Sequence, residues 1–182
     1  MSLNKFNYGK DKLTYQIAIK IANKNIETKI GLDQLEKIDA SRKNVESIVG
    51  SDKTVYGVNT GFGALCNTII SDKESSLLQE NLLKSHAVGV GSHVPEIISK
   101  LMMILKVHSL CMGYSGVRKE IINRICWHIN NDIIPAVPSK GSVGASGDLA
   151  PLAHLFLPLI GEGEVYCKGE KLSSSKVLAL NE

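Results

Sequence analysis

From Gly141 to Gly147 the sequence reads GSVGASG, a texture that neither a helix nor a strand tolerates. Three glycines, one alanine and two serines fill six of the seven positions. Glycine costs about 1 kcal/mol relative to alanine inside a helix, and it weakens strands. The stretch must be a loop. Asp148 then opens the apolar run DLAPLAHLFLPLI. Whatever else the chain builds, it must deliver a loop of minimal side chains to the start of a short helix.

Four readings of that loop compete. A phosphate cradle of the P-loop type ends in Gly-Lys-Ser/Thr, whereas Asp148 follows Gly147 and would repel phosphate. The other form of phosphate cradle, a dinucleotide fingerprint, needs GxGxxG after a strand, and this spacing is GxxGxxG after proline-rich sequence. A nucleophilic serine in GxSxG centred on Ser146 needs glycine at 148, where Asp148 stands. The plainest reading is that Ser146 caps a helix and the glycines make a turn.

The fourth reading uses the glycines chemically. In Ala145-Ser146-Gly147 the amide nitrogen of Gly147 would attack the carbonyl carbon of Ala145. Resonance makes an amide nitrogen a poor nucleophile. Only a compressed backbone brings the atoms together, and nearly absent side chains permit that compression. Loss of water from the ring and of the Ser146 hydroxyl would leave an electrophilic methylidene carbon made from the chain itself.

The rest of the sequence bounds the setting. Its 182 residues suit one domain with a sizeable core. Hydrophobic residues make up 43% and aromatics 5%, so aliphatic packing should dominate. A net charge of +3 is too small to argue for a nucleic-acid partner. Cys66, Cys111, Cys126 and Cys167 form no CxxC pair and have no histidine at ligand spacing. They read as free thiols in a reducing cytoplasm, with no metal site. The N-terminus has no apolar signal region. The longest apolar run, broken by two prolines, is too short for a membrane span.

Most of the chain reads as helix. Leu35, Ile38, Val45, Ile48 and Val49 recur at roughly helical spacing between Leu32 and Val49. Ser71 and Glu74 form a capping box. Pro95 fits a first helical position before IISKLMMILKVHSL. Gly113 to Gly116 breaks that helix, and a further one runs to about Asn131, where Pro135 and Pro138 stop it. After Gly147 a short buried helix follows, with Asp148 at the positive end of its dipole. EVYCKGEKL reads as strand, turn and strand, with Lys168-Gly169 at the turn. Ser173 to Ser175 would cap a last helix that has scarcely begun when the sequence stops, which reads as a chain cut short.

One other stretch shares the loop's texture: YGVNTGFGAL, Tyr56 to Leu65, whose glycines and Asn-Thr-Gly step imply a tight loop. Taken in order, YGVNTGFGAL, LLQENLLKSHAVGVG, HSLCMGYSGVRKEII, GSVGASGDLAPLAHL and GEGEV resemble the aromatic amino-acid ammonia-lyases over nearly the whole chain. In that family Ala-Ser-Gly cyclises to methylidene-imidazolone (MIO). Ser85-His86 resembles the histidine branch.

The resemblance implies a mainly α fold, the N-terminal globular part of the MIO-lyase (fumarase/aspartase-like) helical fold, with at most a small β-hairpin near 164–172. It implies elimination of ammonia, which from histidine gives trans-urocanate, the first step of histidine degradation. The electrophile would be MIO from Ala145, Ser146 and Gly147, with no external cofactor and no metal. Tyr56 would be the base, its pKa lowered by helix N-termini converging on the MIO. His86 would contact the substrate side chain, Gly63 and Leu149 would line the pocket, and Asp148 would help cyclisation or brace the loop. His93, His108, His128 and His154 read as structural. Phe156 and Pro158, behind the loop, would bear on its packing. Family subunits are more than twice as long and assemble their sites in homotetramers, so an exposed apolar face is expected. The alternatives are a tyrosine or phenylalanine lyase or aminomutase, and a non-catalytic fragment that needs a separate C-terminal partner.

Overall fold

A computed structural model describes residues 5–51, 54–60, 72–142 and 147–180, with the side chains of 72–76 left aside. Its helices build the core. The central one is α4 (Glu96–Leu110), and its apolar residues recur as the sequence spacing requires, burying Met103, Ile104, Val107 and Leu110. Against it pack α1 (Tyr15–Ala22), through Ala18, Ile21 and Ala22, and α5 (Lys119–Asn131), through Ile122, Ile125 and Ile129. The Thr14 hydroxyl caps α1 by accepting from the Ile17 amide. Helix α2 spans Leu32–Val49, but of its apolar residues only Ile38 is fully buried. Helix α3 (Asp72–His86) packs against α6 (Ala150–Phe156), and α7 spans Ser174–Ala179.

Strand content exceeds one hairpin. The expected pair is present as β6 (Glu164–Cys167) and β7 (Glu170–Ser173), turning through Lys168 and Gly169, both at positive φ. A third strand, β4 (Ile134–Pro135), joins β6. Two further pairs form: β1 (Lys5–Tyr8) beside β2 (Glu27–Ile30) in parallel, and β3 (Val90–His93) against β5 (Pro138–Lys140). These strands have four residues or fewer and pair across long stretches of sequence, so no local alternation announces them. Helix α1 crosses between β1 and β2, and Phe6 and Tyr8 are buried beneath it. Gly9 then passes so close to Cys111 that a Cβ would strike its carbonyl.

The helix boundaries correct four expectations. Pro95 takes the N-cap of α4 and not its first turn. Pro135 and Pro138 lie in β4 and β5 and do not stop α5; Asp132 does, in the left-handed conformation at φ 52°. The helix before Pro158 ends at Phe156, and Pro158 starts a separate 3-10 turn, Leu157–Ile160, where a missing N–H costs little. Ser173 occupies the N-cap of α7, but its side chain makes no capping bond. Ser71 of the capping box lies outside the described residues, as does Cys66. Among the described residues no helix is long and apolar enough to cross a membrane.

Asp132 is held in place by a buried cation. Lys100 is 5% exposed, and its ammonium donates to the Ala22 carbonyl at 2.6 Å and to the Asp132 carboxylate. Lys24 pairs with the same carboxylate. Burial alone would raise the Asp132 pKa, but the hydrogen bonds from Lys100 and Lys24 outweigh it and hold the carboxyl below its ordinary range. The stability this adds is present above the ordinary carboxylate range and is lost as pH falls through the lowered value. Asp132→Ala leaves the ammonium short of its counter-ion, and urea unfolding should show a loss of about 3 kcal/mol at neutral pH.

Candidate active site

The small-residue loop is anchored at both ends. Strand β5 delivers the chain to Gly141 and Ser142, and α6 begins at Ala150. Between them one oxygen, Asp148 Oδ1, accepts from the Ser142 amide at 2.9 Å, the Ser142 hydroxyl at 3.3 Å and the Ala150 amide at 3.1 Å. A Cβ on Gly141 would fall on the Asp148 carboxylate. Gly147 stands at φ +91°, with open space where a Cβ would go. Ala145 and Ser146 lie outside the described residues, as does Gly63. Asp148 thus bonds residues on both sides of the loop, and its bond to the Ala150 amide satisfies a donor of the first turn of α6.

Across from this loop stands the end of α3. His86 Nδ1 lies 2.8 Å from the Leu82 carbonyl and 3.2 Å from the Ser85 hydroxyl. A carbonyl only accepts, so Nδ1 donates and Nε2 is the nitrogen left for another partner. His86 and Leu149 share one cleft of about 230 Å³, walled by Leu82 and Leu83 of α3, Leu152 and Phe156 of α6, and Lys106 of α4. The sequence reading missed Lys106, Leu82 and Leu152. Nothing in their spacing distinguishes them from core positions. Phe156, flagged as bulky, is half-buried and forms part of this wall.

Tyr56 lies elsewhere. It is 63% exposed and lines neither this cleft nor its neighbour. Its loop is well held. Asn59 accepts from the Val55 amide at 2.8 Å and Thr60 from the Gly57 amide at 3.3 Å, and both side chains are buried. Gly57 to Thr60 line a second cleft with Leu78, Leu82, Arg42 and Arg118. Leu82 borders both clefts, so α3 separates the tyrosine loop from the loop before α6. The structure therefore joins His86 with Leu149 beside Asp148, and it does not join Tyr56 to them.

The four remaining histidines have structural partners. His93 meets the Tyr166 hydroxyl at 2.8 Å, His108 accepts from the Gly9 amide at 3.2 Å, and His128 lies 3.0 Å from the Ile133 carbonyl. His154, on α6, accepts from the Gly89 amide at 3.0 Å, tying that helix to the segment just after His86.

Comparison with known proteins agrees with this geometry. The family model for aromatic amino acid lyases matches residues 13–182, and the chain belongs to that family. It is 44% identical to histidine ammonia-lyase of Streptococcus pyogenes over 172 residues, which are 94% of this chain and 34% of the relative. Histidine ammonia-lyase from Trypanosoma cruzi superposes with a TM-score of 0.86 at 31% identity, covering 97% of this chain and 34% of that one. Tyrosine aminomutase from Streptomyces globisporus gives the same TM-score, 0.86, at 31% identity, over 97% of this chain and 33% of that one. The chain spans about a third of the length of the relatives it matches.

The His154 bond has a pH dependence. Burial, and then the neighbouring His93, push the His154 pKa below its ordinary value. A histidine held neutral adds stability that is present above the ordinary histidine range and is lost as pH falls through the lowered value. His154→Ala should cost about 1 kcal/mol in urea unfolding at neutral pH, and the gap from wild type should narrow toward pH 5.

Proposed function

We propose that the chain carries the electrophile-bearing part of a histidine ammonia-lyase, which converts L-histidine to trans-urocanate and ammonia. The observation that carries this reading is the shared cleft of His86 and Leu149, set where the loop containing Ala145-Ser146-Gly147 enters α6. The 44% identity to histidine ammonia-lyase supports the choice of substrate. The surroundings fit an MIO group made from Ala145, Ser146 and Gly147. Gly147 is at positive φ in open space, and Asp148 closes the loop ends with three hydrogen bonds.

The MIO supplies an electrophile for the substrate amine, a leaving group that is poor on its own. The chain's residues do the rest. His86 offers Nε2 to the substrate imidazole within a cleft that is apolar apart from Lys106, where an unpaired ring N–H would be costly. Leu149, with Leu152 and Phe156, excludes water from that side. Gly63 lines the pocket by family resemblance. Tyr56 accepts the β-proton on its phenolic oxygen, and the bonds of Asn59 and Thr60 to its loop support a fixed position for the ring. Tyr56 does not line the cleft of His86 and Leu149, which accords with a homotetramer, implied by the family resemblance, in which neighbouring subunits complete each site. A cytoplasmic location follows from the same reading.

The similarity to tyrosine aminomutase favours one alternative, a lyase or aminomutase acting on tyrosine or phenylalanine. His86 separates the two. In the protein expressed from its natural reading frame, His86→Leu should lower kcat/KM for histidine by about tenfold or more, followed by urocanate absorbance. A wild-type protein that prefers tyrosine or phenylalanine would favour the alternative. The mass of the wild-type protein should fall short of the sequence mass by about 36 Da, the two waters lost when the strained loop closes. Ser146→Ala should restore the full mass and leave the helical content unchanged by circular dichroism.

A further inference from the structure

The bonds around Asp148 point past the carboxylate itself to the two residues that receive it. Oδ1 spans the neck of the loop, bonding the Ser142 amide on one side and the Ala150 amide on the other. The carboxylate also rests against Gly141, and the three heavy atoms nearest to a Gly141 Cβ all belong to it. Gly141, Ser142, Gly147 and Asp148 are all exposed, so the clasp is not part of the hydrophobic core. Besides meeting the Ala150 amide, the carboxylate pins residue 142 to residue 148. Closing such a span in advance removes the chain entropy that a reaction inside it would otherwise have to overcome.

We infer that Gly141 and Ser142 are positioning residues for ring closure, because they seat the Asp148 carboxylate across the neck of the loop. The inference rests on the MIO reading above. In the closure the Gly147 nitrogen bonds to the Ala145 carbonyl carbon. The carbonyl oxygen leaves as water with the amide protons of Gly147 and Ser146. The Ser146 hydroxyl leaves as a second water with the Ser146 α-proton, giving the exocyclic double bond. No oxidant or reductant is needed. Gly141 contributes by lacking a side chain where the carboxylate must sit, and Ser142 by its amide and hydroxyl donors. Asp148 acts as an acceptor of fixed position, a task that an amide oxygen can also perform.

The test is peptide mass spectrometry across the loop in the protein expressed from its natural reading frame, with Tm measured in parallel. Gly141→Ala should reduce the cyclised fraction by about tenfold or more with little change in Tm, because only an exposed carboxylate is displaced. Asp148→Asn should retain the ring, since its side-chain oxygen can accept the same bonds. Ser142→Ala should give a smaller loss than Gly141→Ala, because the shorter bond comes from the amide. Full cyclisation in Gly141→Ala would overturn the inference. So would loss of the ring in Asp148→Asn, which would assign Asp148 a role through charge. If Gly141→Ala fails to fold, the Asn variant decides alone. A wild-type peptide of unmodified mass is a different failure, since it removes the MIO reading itself.

Discussion

A buried ammonium must find partners or unfold the structure around it, and Lys100 makes that demand at the centre of this molecule. Its two acceptors come from the end of α1 and the end of α5, so one cation on α4 fixes where both neighbouring helices stop. The turn at Asp132 then sends the chain into β4 and, three residues later, into β5. Strand β5 ends at Lys140, and Gly141 follows it. The position of the small-residue loop is thus inherited, step by step, from a charge that has no part in the proposed chemistry.

The second anchor of that loop is α6, and this helix serves several ends with seven residues. Leu155 and Ala153 fill the core, Leu152 and Phe156 wall the cleft, and His154 reaches across to Gly89. The last contact matters most for the site, because Gly89 lies three residues past His86. A shift of α6 cannot leave the end of α3 behind. Loop, apolar wall and histidine are therefore carried on one mechanically linked pair of helices.

Much of this was legible in the sequence, for reasons that can be named. The long helices carry their own periodicity, and α2 runs between the residues its leucines and isoleucines predict. The Lys168-Gly169 turn announces its hairpin because both residues must take positive φ. The β1–β2 and β3–β5 pairs were not legible, since their energetics lie in contacts between distant segments and not in either strand. The end of α5 was misread because proline is a conspicuous stop signal, whereas an aspartate in a left-handed turn depends on a lysine thirty-two residues away. At the site, His86, Leu149 and Asp148 were singled out through their motifs, and the structure sets them near one another. Gly141 and Ser142 were not assigned roles, because a glycine valued for the space beside it looks like any other glycine in a flexible stretch.

The contact between Gly9 and His108 bridges 99 positions of sequence. Strand β1 also rests on α4, a helix made long after it. At roughly 5–20 residues per second on the ribosome, the N-terminal segment waits about 5–20 s for its partner to appear. During that interval Phe6, Tyr8 and the apolar face of α1 have no core to enter. A nascent chain of this protein therefore carries the apolar segment of β1 and α1 unsheltered until α4 arrives.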